Sequence, residues 1–195
     1  MDRQITISVG ASRRDTQWKQ QILSVSELYK RLEQPMRTNE SFAAYCAMSK
    51  AQQSDLKDVG GFVGGALIGG RRKASAVQFR DVVTLDFDNI PGWKTDEIIA
   101  ACDKMTASYC VYSTRKHCAN KPRLRVVIPL DRSVSPDEYE PIARRLASYI
   151  GIQYADPTTF QPERLMYWPS CSADSEYVFH TALPTSPLAS ADMVL

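Results

Sequence analysis

The segment Val82-Val83-Thr84-Leu85-Asp86-Phe87-Asp88 constrains this chain more than any other. Its β-branched and aromatic residues read as a strand, and side chains along a strand alternate between two faces. Val83, Leu85 and Phe87 then share a core-facing side. Asp86 and Asp88 share the other side, at the strand's C-terminal end, and both are expected to face solvent. Two carboxylates roughly 7 Å apart along one strand face can converge on one or two Mg2+ or Mn2+ ions. Such ions clamp phosphate oxygens during in-line displacement. A bare D-x-D also occurs as a solvated strand end, so the surroundings have to sharpen the reading.

They do. After the strand at 82–87, the pattern gives a helix over 95–105, strands at 108–113 and 123–128, a helix over 136–150 and a strand at 164–168. The second helix has Ser135 as N-cap, Pro136 at its first position and Gly151 as its stop. The order β-α-β-β-α-β matches the split βαβ unit of ferredoxin-like folds. In that topology the first strand is central and lies beside the third. One sheet face carries helices and the other is free for a site. The segment 176–180 is a further candidate strand.

Upstream, residues 4–9 read as a strand and 26–33 as a helix, with Ser24 and Glu27 in capping-box spacing. Another helix is expected over about 40–55, followed by a Gly-rich stretch from Gly60 to Gly70. Gly64 and Gly69 form half of a Walker A motif. Gly70 and Arg71 stand where Lys and Ser or Thr are needed, so an ATPase P-loop is not expected. The reading preferred for this stretch is a backbone approach to nucleic acid, with Arg71, Arg72 and Lys73 on phosphates. The predicted architecture is α/β: an N-terminal α/β part (1–75) completing a nucleic-acid cleft, an RRM-like catalytic palm (76–183), and a Ser-, Pro- and Ala-rich tail or linker (184–195).

Charge is informative by position only. The 195 residues carry a net charge of +2, yet Lys116, Lys121, Arg123 and Arg125 lie close together behind Arg115. Clusters of this kind can contact phosphates in a nearly neutral chain. Arg123 and Arg125 share one face of the third palm strand. They are expected beside the carboxylates of the first, where arginines suit a triphosphate or a template backbone. Ala155-Asp156 falls between the second palm helix and the strand at 164–168, and Asp156 could supply a third carboxylate. Trp18, Tyr45 and Trp93 could stack bases, but core packing accounts better for each.

Five cysteines without C-x-x-C pairs, and two histidines, provide no zinc-ligand spacing. They read as reduced thiols of a cytoplasmic protein. No apolar run approaches a membrane span, and no signal-peptide core precedes the first strand.

With these residues in place, the chain resembles the archaeo-eukaryotic primase (AEP) superfamily, especially the primase-polymerase domains of bacterial mobile elements and phages. Its three motifs match Asp86-Phe87-Asp88, Arg115-Lys116-His117 and Ala155-Asp156. The segments 121–130 and 162–170 are similar to the mobile-element branch. One departure is clear: Arg115 stands where the family usually has a small residue. The resemblance covers about residues 57–170. It implies that Asp86, Asp88 and Asp156 are catalytic and hold a two-metal site of Mg2+ or Mn2+. It also implies that His117 contacts the phosphates of the incoming nucleotide, in a nucleotide site with Lys116, Arg123, Arg125 and Arg164. The expected activity is template-directed nucleotidyl transfer from an NTP or dNTP on single-stranded DNA, with a helicase domain or other replication protein as a possible partner. A metal-dependent nuclease and a non-catalytic RRM-like binding module are the alternatives. A His-x-His nickase is not, because no such pair exists in the sequence.

Overall fold

Strand β6 (Val77–Phe87) pairs antiparallel with β8 (Leu124–Val134), and the rest of the molecule is arranged around that ladder. The computed structural model describes residues 2–182 and 186–195. In chain order, β1 (Gln4–Gly10) and β2 (Lys19–Ser24) lead into helix α1 (Val25–Glu33), then β3 (Met36–Arg37) and helices α2 (Phe42–Ala47) and α3 (Lys50–Lys57). Strands β4 (Gly61–Val63) and β5 (Gly65–Leu67) precede β6. Helix α4 (Thr95–Asp103), β7 (Cys110–Ser113), β8 and helix α5 (Pro136–Ile150) follow. The chain closes with β9 (Met166–Tyr167), β10 (Ser170–Cys171), β11 (Phe179–Thr181) and a last helical turn, α6 (Ala191–Val194). Among the described residues no helix is long and apolar enough to cross a membrane.

The palm sheet has the order β11-β7-β8-β6-β5. The first palm strand lies beside the third, as the sequence pattern requires. The place on the other side of β6 is filled differently from expectation. It is taken by β5 from the N-terminal part, whereas β9, the expected fourth palm strand, pairs with β4 in a second sheet of order β2-β1-β4-β9. Each part of the chain thus lends a strand to the other's sheet. The switch happens at Gly64, whose carbonyl accepts from the backbone N–H of Asp81 and Val82 and from Nε of Arg80.

Both faces of the palm sheet are covered. Val83, Leu85 and Phe87 pack under α4 and α5 against Ile98, Cys102, Ile142 and Leu146. On the opposite face, expected to be free, Val82, Cys110, Tyr112 and Val127 pack against Ile5, Ile7, Leu28 and Leu32. Burial of both faces fits the nearly continuous apolar run of β6 better than simple alternation does. The site is therefore confined to the strand ends.

Three local expectations change. The helix over 40–55 is two helices, each with its own serine N-cap, Ser41 and Ser49. The Gln53 side chain of α3 donates to the carbonyls of Tyr45, Cys46 and Met48, satisfying the open end of α2. The first half of the Gly-rich stretch is buried strand and not a nucleic-acid loop. A Cβ on Gly61 would lie 2.3 Å from the Met166 carbonyl oxygen, and one on Gly65 would lie 2.0 Å from that of Phe79. Residues 186–195 are docked, not a free tail. Ala189 bridges to Leu130, and Asp192 pairs with Arg132 at 2.6 Å.

Candidate functional site

Register delivers the site. Asp86 stands opposite Arg125 in the β6–β8 ladder, and Arg125 stands opposite Tyr112 on β7. Asp86 is 4% exposed and Arg125 3%, so the expectation of a solvent-facing Asp86 is overturned by the covering of that sheet face. Arg125 Nη2 lies 3.4 Å from Asp86 Oδ2. Its Nη1 donates to the Tyr167 carbonyl of β9 at 3.2 Å, so the second sheet helps fix it. One residue beyond the end of β6, the half-exposed Asp88 pairs with Arg123 at 2.9 Å.

Asp156 is brought to the same place by backbone stitching. Ala155 bridges to Phe87, and the N–H of Asp156 donates to the Asp86 carbonyl at 2.8 Å. Buried Thr159 accepts from the N–H of Asp86 and donates to the carbonyl of Thr84. Asp156 caps the 3-10 turn Pro157–Phe160, accepting from the N–H and hydroxyl of Thr158, and its other oxygen pairs with Arg164 at 2.9 Å. Asp156 thus starts a turn and presents a carboxylate at once.

One carboxylate oxygen from each of Asp86, Asp88 and Asp156 lies within 4.8 Å of the other two. Oδ1 of Asp86 is buried with no hydrogen-bond partner. An ionised oxygen so placed is costly unless a cation or donor completes it, and three hard oxygen donors suit Mg2+ or Mn2+. Burial and the neighbouring Asp86 charge push the carboxyl of Asp88 up, against the pull of Arg123 and Arg125. For Asp156, burial works upward, but hydrogen bonds from Thr158 and the charge of Arg164 outweigh it and leave the group below its ordinary value.

Beside the carboxylates lies a cavity of about 290 Å³ between α2–α3 and the β7–β8 connection. Asp88 lines it together with six cations: Lys50, Lys57, Arg115, Lys116, Arg123 and Arg125. Lys57 is half-buried, and its ammonium is pushed down to about 8, chiefly by burial and then by Arg125. Of the sequence candidates, Lys116, Arg123 and Arg125 line this cavity. Lys50 and Lys57 carry no such signal, because nothing in a short N-terminal helix indicates that it will cap a strand end some 30 residues on.

His117 goes elsewhere. Its Nδ1 accepts from the backbone N–H of Arg123 at 3.2 Å, and its ring lines a separate cavity with Trp93, Asp96 and Glu176. Burial lowers its pKa, against the opposing charge of Glu176. Arg164 lies on Asp156 and outside the cationic cavity. Arg71 and Lys73 are exposed and Arg72 is half-buried, its guanidinium 5.4 Å from the Trp18 ring centre. These three do not line the cationic cavity. Arg80 is fully buried over the Tyr139 ring and donates to the carbonyls of Gly64, Pro162 and Val82, so it belongs to the core. Trp18 and Tyr45 are also buried, while Trp93 is exposed.

A sequence model of the family described as the VapE N-terminal domain matches residues 1–195. Among solved structures, the chain is similar to the AEP domain of the cyanophage S-2L primase-polymerase (PrimPol, PP-N190). The TM-score is 0.50 at 13% identity, over 98% of this chain and 86% of that one. At that identity the likeness is one of fold. No curated protein matched the chain.

Proposed function

We propose, from the premise that the chain belongs to the VapE N-terminal domain family, that it is a primase-polymerase domain transferring nucleotides from NTP or dNTP to a growing primer on single-stranded DNA. The observation that carries this reading is the carboxylate triad Asp86, Asp88 and Asp156, with an unpartnered buried oxygen, at the edge of a cavity walled by six cations. The AEP-type fold agrees with it. In nucleotidyl transfer a 3'-hydroxyl attacks the α-phosphorus, the bond to the bridging oxygen breaks, and pyrophosphate leaves with that electron pair. Asp86, Asp88 and Asp156 would hold the Mg2+ or Mn2+ that supplies Lewis acidity to the attacking and departing oxygens.

The chain's own residues do the rest. Arg125 and Arg123 fix the orientations of Asp86 and Asp88, and Arg164 fixes that of Asp156. Lys116 and the two arginines of β8 and its approach offset phosphate charge. His117 contributes by holding the backbone of Arg123. Arg71, Arg72 and Lys73 are proposed to take the template backbone, and a helicase domain or other replication protein of a phage or mobile element is the proposed partner. The test is primer extension on single-stranded DNA with labelled nucleotides and Mg2+ or Mn2+. Lengthened products that disappear in Asp86→Asn support the reading. Shortened DNA would point to a nuclease, and binding without either outcome to a non-catalytic module.

A further inference from the structure

We propose that Arg115 is a nucleotide-binding residue whose guanidinium receives the polyphosphate end of the incoming nucleotide in the cationic cavity. The inference rests on the nucleotidyl-transfer reading and deepens it. It begins from an imbalance in the hydrogen bonding of one side chain. The Arg115 side chain is 2% exposed. Its Nη2 donates to Glu40 and to the Thr38 hydroxyl, while Nε and Nη1 are buried without any partner. A buried donor left without a partner loses its water and gains nothing in return. A purely structural arginine would have its donors answered, as Arg80 does in the same molecule with bonds to three carbonyls and a threonine.

The setting says what would answer them. Of the other cations lining the cavity, Arg123 and Arg125 are engaged with Asp88 and Asp86. Lys50, Lys57 and Lys116 form no salt bridge among the described residues. The lining therefore carries surplus positive charge that favours an anionic occupant. Asp88 of the carboxylate triad and Arg115 both line the cavity, so one occupant can lie against that carboxylate and this guanidinium. Its volume, about 290 Å³, lies at the lower edge of small-molecule pockets, roughly 300–1,000 Å³. That suits the charged tail of a nucleotide better than the whole of one. The face of Tyr45, 4.6 Å below the guanidinium, holds its plane. The alternative receptor, His117, shares its own cavity with Asp96 and Glu176, two acids that would repel a polyphosphate.

The experiment is calorimetric titration with inorganic tripolyphosphate, in EDTA and at fixed ionic strength. It compares the wild type with Arg115→Ala, Arg115→Lys and Glu40→Gln, each checked for a cooperative melt. Wild type should bind. Arg115→Ala should weaken binding tenfold or more, Arg115→Lys should weaken it less, and Glu40→Gln should bind at least as tightly, because a competing carboxylate is neutralised. Absence of wild-type binding, or an unchanged Kd in folded Arg115→Ala, overturns the proposal. If Arg115→Ala does not fold, Glu40→Gln decides: weaker binding there marks Arg115 as a structural latch only. Primer extension run in parallel separates the two readings. Arg115-dependent tripolyphosphate binding without extension defeats the polymerase function and leaves this site standing, and extension with Arg115-independent binding does the reverse.

Discussion

The Asp86 carboxylate and the Arg125 guanidinium meet across the β6–β8 ladder at 3.4 Å, both buried, with the far oxygen of Asp86 unpartnered. The pair ties stability to the site. Asp86→Ala leaves Arg125 as an uncompensated buried charge and should cost about 3–5 kcal/mol. Asp88 is half-exposed, and its loss should stay within about 1 kcal/mol. Both variants should lower nucleotide incorporation on the order of a thousandfold, about 4 kcal/mol of barrier. Urea melts alongside extension assays check this. Equal stability of the two variants would contradict the buried pairing.

Cation binding should be visible without any nucleotide. A Mn2+ or Mg2+ ion held by Asp86, Asp88 and Asp156 would bind only the folded chain and should raise Tm, with about 2.7 kcal/mol gained at a hundredfold excess over Kd. Asp156→Asn should remove most of that gain while leaving the metal-free Tm little changed. A Tm indifferent to both cations in the wild type would argue against the triad as their site.

Thr159 answers the N–H of Asp86 and the carbonyl of Thr84 with one hydroxyl. Thr159→Val keeps the shape and strands both groups, so it should cost about 1–3 kcal/mol. Extension should fall as well, since the turn bearing Asp156 loses its register. Retained activity in a destabilised Thr159→Val would confine the residue to a structural role.

His117 gives a pH signature. Burial lowers its pKa in the folded state, so its contribution is complete above the ordinary value of about 6.5. As pH falls below that, the unfolded chain takes up the proton first and stability declines. His117→Gln should show a shallower loss of Tm between pH 7 and pH 5 than the wild type. Parallel profiles would mean that the imidazole is not held neutral.

The exposed basic run predicts a salt effect. Replacing Arg71, Arg72 and Lys73 together with Ala should flatten the log–log salt dependence of single-stranded DNA binding by roughly 0.7 per lost phosphate contact. Fluorescence anisotropy at several salt concentrations measures it. An unchanged slope would place the template path elsewhere.

The palm's order was readable because β6, β8 and α5 carry strong periodic and capping signals, and Asp86, Asp88, Arg123 and Arg125 follow from strand register alone. What escaped was long-range. The pattern of Val82 and Val127 does not say that a second sheet will cover that face, so alternation alone leaves Asp86 facing solvent. Residues 164–168 look equally suited to either sheet, and only packing decides that Met166 and Tyr167 join β4. Arg115 was conspicuous as a departure from the family pattern, but its partners Glu40 and Tyr45 lie about 70 residues away. Motif order places His117 at the phosphates, whereas a turn at residues 114–117 directs it away from the cations.

The exchange of strands has a consequence for synthesis. Strand β4 emerges early and can pair with β1 at once, but its other edge waits for Met166 and Tyr167. At roughly 5–20 residues per second, that edge stays open for roughly 5–20 s. Over that interval the nascent chain presents unpaired backbone at Gly61 and Phe62, so ribosome-bound intermediates are where crowding or a slow codon would do most harm, long before any site exists to be damaged.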